Sequence, residues 1–153
     1  MRQIQILLVF LCLIVAGPLA SAQSGKVLKV LPQHMDLRGQ TSLSPSLYDR
    51  DAYQAILRRD ARKCSGLAFN VNWKAHSVDA AKLKLRVEAR GVIGDVIHRQ
   101  TFEQSVEKPG FFSRWTVFKV TGEDYQKLGN LIAWRVTLWE GDRQLSEQKS
   151  FLW

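Results

Sequence analysis

Three segments of the chain alternate strictly between apolar and polar side chains, which is the pattern of a β-strand with one buried face. The first runs over 67–75, where every second residue from Leu67 to Ala75 is apolar. The same alternation recurs over 81–90 and 132–139. Since successive side chains of a strand point to opposite faces, each segment needs a second layer to cover its apolar side. The alternation therefore favours a sheet packed on another sheet.

Weaker alternation and turn signals extend this pattern over most of the chain. Four further candidate strands are 26–31, 96–104, 113–120 and 144–152. Tight turns require glycine, proline or aspartate, and such residues separate the candidate strands at 91–95, 109–110 and 140–143. About seven short strands with one-sided apolar patterns predict a mainly β sandwich of two antiparallel sheets.

One stretch, 44–63, departs from the strand pattern and predicts an inserted helix. Ser46 followed by Asp49 resembles a capping box, and basic residues gather at the far end, where cations favour the helix dipole. We expect the helix to bury the stripe Tyr48, Ala52, Ala55 and Ile56. An outward tryptophan of the sheet is the natural surface for it to cover. A second helical turn is expected at 122–129.

The first 22 residues have the three-part layout of a secretory signal peptide. Arg2 gives a positive start, an apolar run follows from Ile4 to Ala16, and small residues occupy 20–22. The run of about 13 residues is shorter than the ~20 that a membrane-spanning helix needs. We therefore expect a cleaved leader, a single domain over 23–153 without a transmembrane span, and export to the periplasm or the secreted space.

The charge balance of the chain is basic. There are 22 Lys and Arg residues against 14 Asp and Glu, and the net charge of +8 becomes +7 when Arg2 leaves with the leader. In an exported domain this excess favours an anionic envelope component and argues against nucleic acid. The 81–90 segment carries a possible anion-binding stripe of Lys82, Lys84, Arg86 and Arg90. Plain solubility, sheet-edge protection or pairing with carboxylates of a neighbouring strand stays open as the alternative.

Two other features could make contacts with a partner. Cys12 lies in the leader, so Cys64 is the only thiol of the exported domain and could pair between chains. Trp139 and Trp153 are candidates for aromatic contact with a sugar ring or a partner protein. Trp139 is expected on the face opposite Trp134, because the two positions differ by an odd number. Alternatively, another part of the chain covers these tryptophans and they make no such contact.

The sequence contains none of the common enzyme or metal motifs, such as G-x-S-x-G, H-E-x-x-H, C-x-x-C or a phosphate-binding loop. His34 lies near Asp36, and His76 lies near Asp79, but two ligands do not make a zinc site. We therefore expect no catalytic centre, cofactor or metal. An envelope enzyme with an unrecognised His/carboxylate site is kept as an alternative.

Trp73 on an early core strand and Tyr125 ahead of the 131–139 strand complete the layout. With this strand count, the chain resembles the immunoglobulin/fibronectin type III class of β-sandwiches, and within it small exported bacterial proteins of unassigned function. The resemblance spans roughly 26–153 and implies a fold, not an activity. We expect a non-catalytic binding or structural domain. An envelope adaptor that self-associates through Cys64 or a strand edge is the alternative.

Overall fold

The computed structural model describes residues 25–76, 78–107 and 109–153, and the segment interpreted above as a signal peptide lies outside them. The described strands are β1 (Gly25–Asp36), β2 (Cys64–Ala75), β3 (Leu83–Ile93), β4 (Val96–Ser105), β5 (Gly110–Thr121), β6 (Asn130–Glu140) and β7 (Arg143–Lys149). The helices are α1 (Leu47–Arg59) and α2 (Gly122–Leu128). The prediction of a mainly β chain with an inserted helix is confirmed.

Two antiparallel sheets make up the fold. The three-stranded sheet has the order β1-β2-β5, and the four-stranded sheet has the order β4-β3-β6-β7. The apolar faces of β2, β3 and β6 meet in the core, where Phe69, Val87 and Val136 are fully buried. On one side the backbone N–H of Val27 in β1 donates to Ser146 Oγ in β7 at 3.0 Å. On the other side, β4 and β5 are the outermost strands of their sheets.

The strand predicted over 81–90 begins later than its alternation indicates. Residues Ala80–Lys82 form a 3₁₀ turn, because Asp79 Oδ1 accepts a hydrogen bond from Ala81 N at 3.1 Å and caps it. Lys82 therefore lies in the turn, where its Nζ is 3.2 Å from Asp79 Oδ2. The predicted stripe is wrong on this point, since β3 starts at Leu83.

The buried face of α1 also differs from the predicted stripe. Tyr48 is 83% exposed and Ile56 is 47% exposed, whereas Gln54 and Leu57 are buried. The Gln54 side chain accepts from His34 N and donates to His34 O, both at 2.8 Å. These directed hydrogen bonds to the edge of β1 turn the polar Gln54 inward, and the apolar stripe faces outward as a result.

The described helices are too short and too polar to cross a membrane. The shorter one, α2, packs closely on β3 at Gly91. A Cβ atom at this position would overlap the carbonyl oxygen of Leu128. Glycine is therefore required where the last turn of the helix approaches the strand.

Candidate functional site

Three of the four predicted stripe cations lie on the outer face of the four-stranded sheet, together with both predicted contact tryptophans. The guanidinium carbon of Arg86 is 4.9 Å from the ring centre of Trp139. That of Arg90 is 3.9 Å from the ring centre of Trp153. We call this surface the arginine–tryptophan face; it comprises Lys84, Arg86, Glu88, Arg90, Arg135, Trp139 and Trp153. Two features that the sequence suggests separately therefore form one surface.

Carboxylates neutralise much of the charge on the arginine–tryptophan face. Glu103, opposite Arg86 in the ladder, accepts from Arg86 Nε at 2.5 Å and lies 3.5 Å from Lys84 Nζ. This hydrogen bond from Arg86 is the main reason why the pKa of Glu103 is lowered. Glu88 binds Arg135 through two hydrogen bonds of 2.7 and 2.8 Å. Anion binding by the stripe stays a prediction, and an incoming anion would compete with these carboxylates.

The indole of Trp139 is also held by contacts on the arginine–tryptophan face. Its Nε1 donates to Thr137 Oγ1 at 2.7 Å, and Thr137 is buried beneath it. Arg86 covers the ring, so the expectation that α1 covers an outward tryptophan is wrong here; α1 packs on β1 instead. A stacked guanidinium and a bonded indole nitrogen give this part of the sheet a structural role.

A different cationic surface lies on the outer face of the three-stranded sheet. Lys26 is directly opposite Lys74 in the β1–β2 ladder, and Lys29 is opposite Asn72. Asn72 is in turn opposite Trp115, and Lys119 is opposite Ala68 in the β2–β5 ladder. Residues paired in this way point to the same side of a sheet. We call this surface the lysine face; it comprises Lys26, Lys29, Asn72, Lys74, Trp115 and Lys119.

No carboxylate balances the lysine face within the described strands. Neither β2 nor β5 contains an aspartate or a glutamate, and β1 contains only Asp36 at its end. That carboxylate is buried and accepts the hydroxyl of Tyr53 at 2.8 Å. The four lysines make no ion pair among the described residues. The face therefore carries uncompensated positive charge.

The lysine face also presents an aromatic ring. Trp115 is 55% exposed, in contrast to Trp73, which is buried on the inner side of the same sheet. The neighbouring Asn72 donates from Nδ2 to the carbonyl oxygen of Arg114 at 3.2 Å, which holds its amide in place beside the indole. The surface thus combines lysines with an open indole, whereas the amide of Asn72 is buried.

Sequence reasoning missed the lysine face because its members are far apart in the chain. Lys26 and Lys74 are separated by 48 positions and become neighbours only through strand register. A weaker signal was present, since 61–78 and 108–122 contain no acidic residue in an otherwise mixed sequence. The absence of acidic residues along a predicted strand therefore indicates a positively charged face even where no basic motif exists.

Cys64 lies at the start of β2 beneath α1. Its thiol donates to the carbonyl oxygen of Leu57 at 3.3 Å, and burial raises its pKa. A disulfide between chains would require this end of the helix to move. The intermolecular thiol stays a prediction.

The histidine and carboxylate candidates do not converge. Asp36 accepts from the backbone N–H groups of Arg38 and Gln40, both at 2.8 Å, and the latter bond is the main reason why its pKa is lowered. His34 lines a separate cleft, and its pKa is lowered by burial and then by Arg58. Among the described residues, no three His, Cys, Asp or Glu side chains are placed to hold one metal ion.

Comparison with known proteins adds no guide to these surfaces. No protein-family model matches the chain, and neither does any curated protein or solved structure. The interpretation of the two outer faces therefore depends on their own geometry and charge.

Proposed function

We propose that the chain is an exported, non-catalytic binding domain whose lysine face holds an anionic polymer of the cell envelope or the secreted space. The layout of the first 22 residues supports export. The observation that carries the proposal is Lys26 directly opposite Lys74 on a face whose strands contain no carboxylate apart from the buried Asp36. Like charges in this position destabilise a sheet, so an anion that binds between the two lysines relieves their repulsion.

The geometry of the lysine face suits an extended ligand. Lys29 and Lys74 are diagonal neighbours across the β1–β2 ladder, and such positions are separated by about 7–8 Å, which is within the screening length of about 8 Å at physiological salt. The fields of Lys29 and Lys74 therefore overlap. Lys119, opposite Ala68, continues the positive charge to about 20 Å from the row of Lys74. A polymer with repeated anionic groups can contact several of these positions at once.

We also propose that the fold belongs to the immunoglobulin-like class of sandwiches. If the strands are lettered A, B, C, C′, E, F and G in chain order, the two sheets have the orders A-B-E and C′-C-F-G. In the immunoglobulin class the C, F and G strands likewise form one sheet, which C′ can extend. This assignment explains the fold but does not assign the ligand.

Binding to polygalacturonate, with neutral dextran as the comparison polymer, tests the function. We expect salt-dependent binding of polygalacturonate, and about a five- to tenfold loss of affinity in K26Q/K74Q. The double variant R59Q/K63Q removes the same charge from exposed positions near the end of α1 and is the matched control. Equal losses in both variants, or equal binding of dextran, would refute a specific role of the lysine face.

A strand-edge adaptor is a second candidate, favoured by the position of β5. This 12-residue strand ends the three-stranded sheet and has no neighbour on its far side among the described strands. Free edges pair readily with other strands. Sedimentation with and without reductant separates the possibilities: a reductant-resistant dimer supports strand pairing, a reductant-sensitive dimer supports Cys64, and a monomer at all concentrations contradicts the adaptor.

A further inference from the structure

A small cleft opens in the seam between the two sheets, beyond the end of β7. The chain turns away at Ser150, which is tied to Trp134 by two hydrogen bonds of 2.9 and 3.0 Å. The inner side of β1 therefore faces β6 across a gap, and α1 closes one end of it. The cleft has a volume of about 230 Å³.

The walls of the cleft combine apolar side chains with polar groups. Leu67 of β2 is buried at its base, and Leu131 and Trp134 of β6 form one side. Arg58 of α1 and His34 of β1 supply the main polar groups. An apolar pocket with a few convergent polar groups is the usual form of a small-molecule site.

The charge of the cleft is positive and unbalanced. Arg58 donates from Nε to the carbonyl oxygen of Gln54 at 3.2 Å, which orients its guanidinium, and it makes no ion pair among the described residues. The described lining includes no carboxylate. The Nδ1 atom of His34 is buried and has no hydrogen-bond partner in the described part of the chain. Most buried polar atoms have such a partner, so the environment of His34 is unusual.

We propose that this cleft binds a small monocarboxylate with an apolar tail or ring. Its carboxylate lies against Arg58 and His34, and its apolar part packs on Trp134 and Leu67. The volume is below the range of about 300–1,000 Å³ that holds drug-sized ligands, which limits the ligand to a size such as benzoate or hexanoate. Because the cleft faces the inner side of β1, it is separate from the lysine face and does not depend on the function proposed for it.

Nuclear magnetic resonance titration of the protein with benzoate and hexanoate tests the site, with benzamide and hexanamide as uncharged analogues. We expect the Trp134 indole signal to shift with a Kd near 1 mM, and the amides to bind about tenfold more weakly. A bound carboxylate favours the imidazolium, so the pKa of His34 should rise with ligand. R58Q should lose about tenfold in affinity, and R59Q, which removes the neighbouring exposed arginine, should lose none.

The variant R58K distinguishes charge from geometry. Partial recovery of benzoate binding in R58K supports a carboxylate held by the cation at this position. Three results would overturn the proposal: no shift at Trp134 with either carboxylate at about 10 mM, equal affinities for benzoate and benzamide, or equal affinities of R58Q and R59Q. K26Q/K74Q should bind benzoate normally, which separates failure here from failure of the polymer site.

Discussion

Reversal of the charge at Lys74 tests whether repulsion within the lysine face lowers the free energy of unfolding. Lys74 is directly opposite Lys26 on adjacent antiparallel strands, and no carboxylate of the described residues pairs with either. In K74E the repulsion across the ladder becomes an attraction. We expect the variant to be more stable than the natural chain and to bind polygalacturonate more weakly.

The size of the effect follows from the register. The Cβ atoms of cross-strand partners are about 4.5–5.5 Å apart, and one opposite-charge pair contributes about 0.2–1 kcal/mol. Since K74E both removes a repulsion and adds an attraction, we expect a gain of about 1 kcal/mol in the free energy of unfolding. For a domain of this size, the midpoint of thermal unfolding rises by about 4 °C.

Thermal and urea unfolding at low and high salt measure this gain. At 1 M salt the screening length falls to about 3 Å, so the stabilisation should largely disappear. K74Q is the matched control, because it removes the repulsion without adding an attraction and should gain about half as much. Its shift also corrects for the loss of the long lysine side chain.

Two results would refute the reasoning. If K74E is no more stable than the natural chain at low salt, Lys26 and Lys74 do not repel one another, and the lysine face does not lower the stability of the fold. If the gain is the same at 1 M salt, it arises from packing or strand propensity rather than from charge. Unchanged polygalacturonate binding in K74E would separately contradict the proposed site.

Three further predictions concern the rest of the fold. Gly91→Ala should lower the free energy of unfolding by about 1–3 kcal/mol, because its Cβ would overlap the Leu128 carbonyl oxygen; Gly110→Ala, where space is open, should change it by less than about 0.5 kcal/mol in urea unfolding. The folded-state pKa of Asp36 is lowered, so its contribution to stability is present above the ordinary aspartate pKa of about 3.9 and is lost as the pH falls through the folded value. Thermal melts of the natural chain should show this loss of stability at low pH. A similar loss in Asp36→Asn would contradict the assignment to Asp36. Cys64 should react slowly with a thiol reagent until urea unfolds the protein, since its thiol is buried with a raised pKa; rapid labelling of the folded protein would be the contrary result.

The strands could be predicted because their signal is local. Alternation from Leu67 to Ala75 requires only that neighbouring residues point to opposite faces, and the core residues of β2 and β3 lie where that rule puts them. The alternation places the start of β3 too early, because Asp79 caps a turn over residues that follow the same alternation. Boundaries depend on such side-chain hydrogen bonds, which periodicity does not report.

The orientation of α1 could not be predicted from its apolar residues. A short helix on the edge of a sheet can be fixed by directed hydrogen bonds, and Gln54 makes them to both the N–H and the C=O of His34 and to the carbonyl oxygen of Thr41. These bonds satisfy backbone groups at the edge of β1 that would otherwise lack a partner. The exposure of Tyr48 and Ile56 is the consequence.

The two outer faces show why a list of basic residues is a poor guide to an anion-binding surface. The stripe at 82–90 comes from one segment of the sequence, but Glu103 of β4 pairs with Lys84 and Arg86 through the strand register. On the same face, Glu88 of β3 pairs with Arg135 of β6. The lysine face has no continuous motif, yet the three strands beneath it lack such carboxylates except at Asp36. Opposite charges that face one another across a ladder stabilise a sheet, and like charges in the same position destabilise it. The stripe face also opposes like charges, at Arg90 and Arg99, but Arg90 lies against the Trp153 ring and glutamates pair with its neighbours. On the lysine face no described carboxylate pairs with Lys26 or Lys74, and this lack of neutralising carboxylates supports the lysine face over the stripe as the binding surface.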